Sequence, residues 1–280
     1  MSSEAIYGVV LLAAFAHALW NAMVKASSDG LLTLATIRAV GLVFGCLLLF
    51  FVPLPAPRSW PFLIGAIVVH YAYYAFMLNS YRVGDLSQVY PIARGLAPLL
   101  VTGLAAFLIG ERLTVGQLAA VVLTSTGIMI LALSRGAPQK GAVLFAVATG
   151  VTIAGYTFLN GLGVRHGGTI LGYLACLEIG TGSGVLLVTV LRRRAGILVF
   201  GRSQGLQGIA AGLLSVGGYL VALWALTLLP MATVTAVRET SVIFGTIIGA
   251  VALRESLGPR RIAGACLVTA GIVTLTLLKA

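Results

Sequence analysis

The stretch RGLAPLLVTGLAAFLIGERLTVGQLAAVVLTSTGIMILAL, Arg94–Leu133, returns in outline 144 residues later as RETSVIFGTIIGAVALRESLGPRRIAGACLVTAGIVTLTL, Arg238–Leu277. Each copy is an apolar run, a short polar turn around a glutamate, and a second apolar run. Arg94 pairs with Arg238, Ala106 with Ala250, Glu111 with Glu255, Leu113 with Leu257, Ala119 with Ala263, Leu123 with Leu267, Gly127 with Gly271 and Ile128 with Ile272. Apolar coincidences carry little weight, because any two membrane helices share Leu and Ala. The rarer ones carry more: an arginine inside an apolar run, a glutamate where that run ends, a leucine just beyond it and a glycine in the next run, all at the same spacing in both copies. The repeat divides the chain into halves at 1–135 and 136–280.

Composition places both halves in a membrane. Of 280 residues 59% are apolar and 9% charged, and the mean hydropathy is +1.06. A soluble domain carries roughly 25% charged residues, so this chain lacks a polar shell. Soluble enzymes, disordered proteins and disulfide scaffolds are excluded, which leaves an all-α polytopic membrane protein. Ten segments reach the length of about 20 residues that a spanning helix needs: 5–25, 31–52, 60–82, 86–109, 114–134, 140–164, 169–191, 204–228, 231–253 and 259–279. Pro53, Pro55 and Pro57 end the second. Gly84-Asp85, Gly110-Glu111-Arg112 and Gly136-Ala137-Pro138 are turn chemistry. Arg192-Arg193-Arg194 cannot sit in hydrocarbon. Leu229-Pro230 is either a break or a kink. Five helices per half is an odd number, so the second half is expected upside down relative to the first. Such inverted repeats build secondary transporters, with the solute near the midplane between halves.

The net charge of +11 reads as topology and headgroup contact rather than nucleic-acid binding, because the bases sit in short loops. Loops on the side away from the termini carry eleven Lys and Arg against four on the other side. The expectation is a multi-pass protein of the bacterial plasma (inner) membrane with both termini outside the cytoplasm. The N-terminus has no basic region of a cleaved signal. Cys46, Cys176 and Cys266 lie in apolar runs without metal spacing and read as buried packing residues.

With these residues in hand, Pro98–Leu133 resembles the signature of the drug/metabolite transporter superfamily. The carriers of the likeness are Gly110-Glu111-Arg112-Leu113 and Gly127. The ten-helix exporter (EamA-type) branch has such a turn after its fourth and ninth helices. The second copy here, Leu253-Arg254-Glu255-Ser256-Leu257, departs by placing Arg and Ser around the glutamate. Trp20-Asn21 is similar to a Trp-Asn or Trp-Gly position of that branch. The resemblance implies export of amino acids, other small metabolites or cationic drugs, or exchange of sugar phosphates and nucleotide sugars. An amino-acid exporter is the nearest likeness.

The residues themselves suggest where a solute sits. A charge at a helix centre costs at least about 2.5–3.5 kcal/mol, so Arg38, Arg94, Glu178, Arg238 and Glu239 face either one another or a wet cavity. Arg94 and Arg238 are repeat-equivalent and are expected on opposite walls of one cavity. His17, Trp20, Asn21 and Lys25 share one helical face, with Lys25 snorkelling to the interface. His70, Tyr73, Tyr74, Met77 and Tyr81 form a second stripe, of which Tyr74 and Met77 are the better cavity candidates. Ser87, Pro91, Arg94 and Pro98 form a third, and Gly217-Gly218, Tyr219 and Trp224 mark a helix that can move. The candidate solute-binding set is His17, Trp20, Asn21, Tyr74, Met77, Arg94, Tyr156, Trp224, Arg238 and Glu239. Gly41-x-x-x-Gly45, Gly208-x-x-x-Gly212 and Gly245-x-x-x-Gly249 read as helix packing, within the chain or in a dimer.

No Gly-x-x-x-x-Gly-Lys-Ser/Thr loop, His-Glu-x-x-His or Gly-x-Ser-x-Gly motif occurs. No metal or cofactor is expected. The partners expected are a small-molecule substrate and the bilayer, with a monomer or homodimer as the assembly. The sequence therefore points to an exporter of amino acids, aromatic ones included, working by alternating access. An organic-phosphate or quaternary-amine carrier is the first alternative. A lipid-modifying enzyme and a non-transporting scaffold are more distant ones.

Overall fold

The computed structural model describes residues 3–133, 139–193, 196–252 and 258–278. Among them every regular element is helical: α1 (Ser3–Ala26), α2 (Gly30–Leu48), α3 (Trp60–Val83), α4 (Leu86–Ile109), α5 (Val115–Leu133), α6 (Lys140–His166), α7 (Ile170–Arg193), α8 (Gly196–Leu228), α9 (Met231–Arg238), α10 (Thr240–Ala252) and α11 (Pro259–Leu277). The caps follow local chemistry. Asp29 accepts the Leu31 and Leu32 amides at 3.0 and 3.2 Å and so starts α2. Gly110 ends α4 at φ 70°, a left-handed conformation that glycine adopts without strain. Among the described residues eight helices, α1 to α8, are long and apolar enough to cross a membrane, and α11 carries a shorter apolar stretch, Ile262–Leu275.

Three departures from the sequence expectation are large, and α7 also continues to Arg193, two residues into the arginine run expected to end it. The segment 231–253 is not one helix but two, divided at Glu239 by tight bonds from the Glu239 amide to Ala236 O and from the Val242 amide to Glu239 O. Helix α2 stops at Leu48 rather than Val52, its end tightening into turns in which the Phe50 and Phe51 amides donate to Leu47 O and Leu48 O. Helix α8 begins at Gly196 rather than Gln204. The break expected at Leu229-Pro230 is present, with Pro230 at the N-cap of α9. The turn at 136–138, Arg194 and the second glutamate turn at 253–257 lie outside the described residues, as does the side chain of Ser87.

The outer surface is apolar. Phe51, Phe107, Val115 and Leu206 are each more than 80% exposed, as befits side chains that meet lipid tails. The cysteines follow this inversion. Cys46 and Cys266 are exposed and Cys176 is half-buried, not buried packing residues as expected, because an apolar thiol is at home on a lipid-facing surface.

Two helix pairs cross backbone to backbone. Along α2 the positions 38, 41 and 45 meet 182, 178 and 175 of α7, so the pair runs antiparallel. A methyl at Gly45 would stand 2.7 Å from Ala175 O. Along α5 and α11 the same direction holds. A methyl at Gly127 would stand 2.8 Å from Gly264 O and 2.7 Å from Val268 N, and one at Gly271 would stand 2.8 Å from Ala120 O and from Thr124 N. These contacts exchange under the shift that relates the two copies: Gly127 becomes Gly271, and Ala120 and Thr124 become Gly264 and Val268. Around these pairs, α3 packs on α6 and α1 on α8, while α6 packs on α4 and α1 on α9 and α10. Gly208 and Gly212 seat Thr36 and Val40 of α2, so that glycine pair packs helices inside the chain.

Candidate functional site

Buried charge gathers where α9 breaks. The C-terminal end of α9 leaves the Arg238 carbonyl free, and Arg94 of α4 donates to it from Nη2 at 3.1 Å. A cation at a helix C-terminus meets both the free carbonyl and the negative end of the helix dipole. The Arg94 Nε also stands 3.0 Å from Glu239 Oε2, with both side chains sealed from the exterior. This is a charge contact out of hydrogen-bond alignment, and neither Glu239 oxygen has a hydrogen-bond partner. Arg238 is 6% exposed, and its guanidinium carbon lies 5.9 Å from the Tyr219 ring centre. Among the described residues no carboxylate is within ion-pair distance of it.

Beside Arg94 lies a hollow of about 10 Å³, room for one water. His17 of α1, Met77 and Tyr81 of α3, Tyr90 and Arg94 of α4, and Thr149 of α6 are among its walls. Tyr90 reaches across to α10, donating to Ser241 Oγ at 3.0 Å.

A second cluster sits between α3, α6 and α8. His70 stacks on Tyr156 at 4.1 Å between ring centres and meets Tyr73, Tyr74 and Tyr219 at its edges. A directed hydrogen-bond chain runs through it. Tyr173 donates to Asn160 Oδ1 at 2.9 Å, and Asn160 Nδ2 donates to the Tyr219 hydroxyl at 2.6 Å. The Tyr219 hydroxyl is 3.5 Å from His70 Nε2, and His70 Nδ1 is 2.7 Å from Ala66 O. A carbonyl only accepts, so Nδ1 carries a proton and Nε2 is left to accept from Tyr219. On the far side Arg38 pairs with Glu178 at 2.9 Å, donates to Ser215 Oγ at 2.5 Å, and lies 5.8 Å from the Tyr74 ring centre.

The expected residues thus fall in three places. His17, Met77 and Arg94 line the hollow. Arg238 and Glu239 adjoin it through Arg94, and Tyr74 and Tyr156 belong to the aromatic cluster. Trp20 packs edge-on against His17 at 5.1 Å. Asn21 is a buried strut that accepts from Tyr81 at 2.9 Å and donates to His17 O at 2.8 Å. Trp224 is half-buried on α8 and off the hollow, its carbonyl accepting from Thr227. Tyr81, set aside in favour of Tyr74, lines the hollow, and Tyr74 does not. The stripe reading missed that Tyr81 sits level with the hollow, as Asn21 reaches its hydroxyl. Tyr90 was missed too, although it lies one turn before Arg94 on the same face. Thr149 had no signal beyond its position one turn before Ile153 on α6, which also lines the hollow. Lys25 does not simply snorkel: its Nζ donates to Tyr81 O at 2.8 Å and Gly84 O at 3.2 Å.

A bundle of long apolar helices, with a broken helix and buried charges at its centre, is the build of a multi-pass membrane transporter. The EamA-like transporter family matches residues 5–133 and again 140–277, and the chain belongs to that family. It is a family of membrane transporters of small solutes, not of enzymes. Two copies of the family unit fill the chain, as the internal repeat requires. No curated protein matches the chain. A solved crystal structure is similar in fold, with a TM-score of 0.75 and 18% identity over 98% of this chain and 96% of the other.

Proposed function

We propose that this protein is a secondary transporter that exports small metabolites, foremost amino acids including aromatic ones, by alternating access between two inverted five-helix halves, 1–135 and 136–280. The observation that carries the cargo reading is a charge imbalance. Among the described residues the buried charged side chains are Arg38, Arg94, Arg238, Glu178 and Glu239. Arg38 is matched by Glu178 and Arg94 by Glu239, so one guanidinium, Arg238, has no acid within ion-pair distance among the described residues. A solute with one carboxylate supplies that charge, and a guanidinium takes a carboxylate in two-pronged fashion. Tyr219 and Tyr156 lie beside this guanidinium, and an aromatic side chain would have to displace Arg238 from the Tyr219 ring or His70 from the Tyr156 ring to stack there. The binding set remains His17, Trp20, Asn21, Tyr74, Met77, Arg94, Tyr156, Trp224, Arg238 and Glu239, to which Tyr81 and Tyr90 are added.

Inversion is supported by the antiparallel crossings of the repeat-equivalent helices α2 with α7 and α5 with α11. The ninth transmembrane segment is then α9 with α10, and α11 is the tenth. The base excess assigns the loop α1–α2 to the cytoplasm of a bacterial inner membrane and both termini to the other side. A hollow sized for one water requires the helices to part before a solute enters. Among the alternatives, an organic anion is favoured by the two equivalent arginines. A cation is disfavoured, because the rings already hold Arg38 and Arg238. The test is efflux from proteoliposomes of radiolabelled amino acids, an organic phosphate and a quaternary amine. The reading expects saturable amino-acid efflux above that of empty liposomes. Efflux of the phosphate or amine alone overturns it.

A further inference from the structure

Two cations hold helix ends shut in the same way at opposite ends of the bundle. In the last turn of α6, Arg165 donates from Nε to Leu226 O at 2.8 Å and from Nη2 to Leu229 O at 3.0 Å. In the last turn of α1, Lys25 donates to Tyr81 O and Gly84 O. Both acceptor pairs straddle the last turn at the C-terminus of a helix, α8 in one case and α3 in the other. The first helix of each half supplies the cation, and the third helix of each half supplies the carbonyls. The two clasps are therefore one feature repeated in each half. They lie beyond opposite ends of α4, whose 24 residues span about 36 Å. Lys25 grips the chain just before Leu86, and Arg165 grips the chain beside Glu111, just after Ile109.

The clasp at Arg165 has a further part. Glu111 Oε1 takes Arg165 Nη1 at 2.7 Å, and Glu111 Oε2 accepts the Met231 amide at the N-terminus of α9 at 3.0 Å. The glutamate of the motif thus ties α4 to α6 and α9, while Arg165 ties α6 to the end of α8. The Arg165 and Glu111 side chains are 27% and 19% exposed, so water reaches the clasp and can replace its bonds. Among the described residues no acid lies within ion-pair distance of Lys25, so its clasp is the weaker one.

We propose that Arg165 with Glu111, and Lys25, are the two gate latches of the alternating-access cycle, each holding its own face closed while the other opens. This rests on the alternating-access reading above but not on the identity of the cargo. The experiment uses the full chain with Cys46, Cys176 and Cys266 replaced by serine and with Met77→Cys as a reporter in the hollow. A membrane-impermeant maleimide is applied to either face of sealed vesicles. Arg165→Ala is expected to raise labelling several-fold from the face at the C-terminal end of α4 and to lower it from the other face. Lys25→Ala is expected to do the reverse, and by a smaller factor. Glu111→Gln, a milder change that keeps an acceptor for the Met231 amide, is expected to follow Arg165→Ala. Arg165→Lys, which keeps a donor, is expected to stay nearer the parent. Labelling that changes alike from both faces, or not at all, overturns the proposal, since loss of structure alone favours neither face. Face-specific labelling, with no amino-acid efflux from the chain that keeps Met77, defeats the cargo assignment and leaves the latches standing. Efflux with face-independent labelling does the opposite.

Discussion

Replacing Arg94 by methionine removes the only cation within ion-pair distance of Glu239 among the described residues, at 3.0 Å. Glu239 has no exposed surface and neither of its oxygens has a hydrogen-bond partner, so only the more distant Arg238 charge is left to hold it. Stranding one member of a buried ion pair costs about 3–5 kcal/mol. At roughly 2–4 °C per kcal/mol for a chain near this size, the melting temperature falls by roughly 6–20 °C. Glu239→Leu alone costs less, because Arg94 keeps its bond to the Arg238 carbonyl. The double variant Arg94→Met/Glu239→Leu strands no charge from this pair and is expected within about 1 kcal/mol of the parent, since apolar pairs of similar volume replace buried ion pairs at little cost. The assay is thermal unfolding in detergent, followed by tryptophan fluorescence and arranged as a double-mutant cycle. A coupling of about 2 kcal/mol or more is expected, together with loss of solute flux in the well-folded double variant. Additive losses, or an Arg94→Met protein that melts with the parent, would refute the pairing.

Gly127→Val is expected to destabilise by about 1–3 kcal/mol, because its Cβ falls 2.7 Å from Val268 N and forces α5 and α11 apart. Gly103→Ala, with nothing within 4 Å, is expected to gain up to about 1 kcal/mol, both read as shifts in thermal unfolding. Asn160→Leu strands the Tyr173 hydroxyl, while Tyr219 keeps His70, and is expected to lower stability by about 1–3 kcal/mol in the same melt. At the loop before α2, partial burial pushes the Asp29 carboxyl up. The Arg193 hydrogen bond and charge, with the Leu31 and Leu32 amides, outweigh it, so its pKa lies below the ordinary value. A lowered acid stabilises the fold above its unfolded pKa of about 3.9 and stops doing so as pH falls through the folded value. Asp29→Asn, which can still cap α2, is expected to melt slightly below the parent at pH 6 and level with it in strong acid.

What the sequence reveals depends on how costly each feature is. Helix α4 was legible to the residue, Leu86–Ile109, because the turn residues Asp85 and Gly110 flank a mostly apolar run of spanning length. The interior charges were legible because hydrocarbon tolerates them only when paired or facing water, but their arrangement was not: Arg94 is a wall of the hollow, while Arg238 meets it through its carbonyl rather than from an opposite wall. Glu178 with Arg38 was legible only as one option. The break at Glu239 was not, since it is made by backbone bonds rather than by a Pro or Gly. The aromatic cluster joins α3, α6 and α8, and its depth depends on packing that no single-helix stripe contains. The latches were hidden for a different reason. The offset from Lys25 to Arg165 falls short of the one that aligns Arg94 with Arg238, and the offset from Tyr81 to Leu226 exceeds it, so a single sliding comparison passes both by. Their acceptors are backbone carbonyls, which no residue type advertises.

Counterflow through Arg238 tests the central idea most directly. Proteoliposomes preloaded with unlabelled amino acid are given a trace of the labelled one outside, and accumulation is compared between the parent and Arg238→Met. Glu239 keeps its ion pair with Arg94 in that variant, so it is expected to stay folded, melting at most slightly below the parent, and yet to accumulate label no faster than empty liposomes. Arg238→Met protein that is folded and exchanges amino acid at the parental rate would contradict the account.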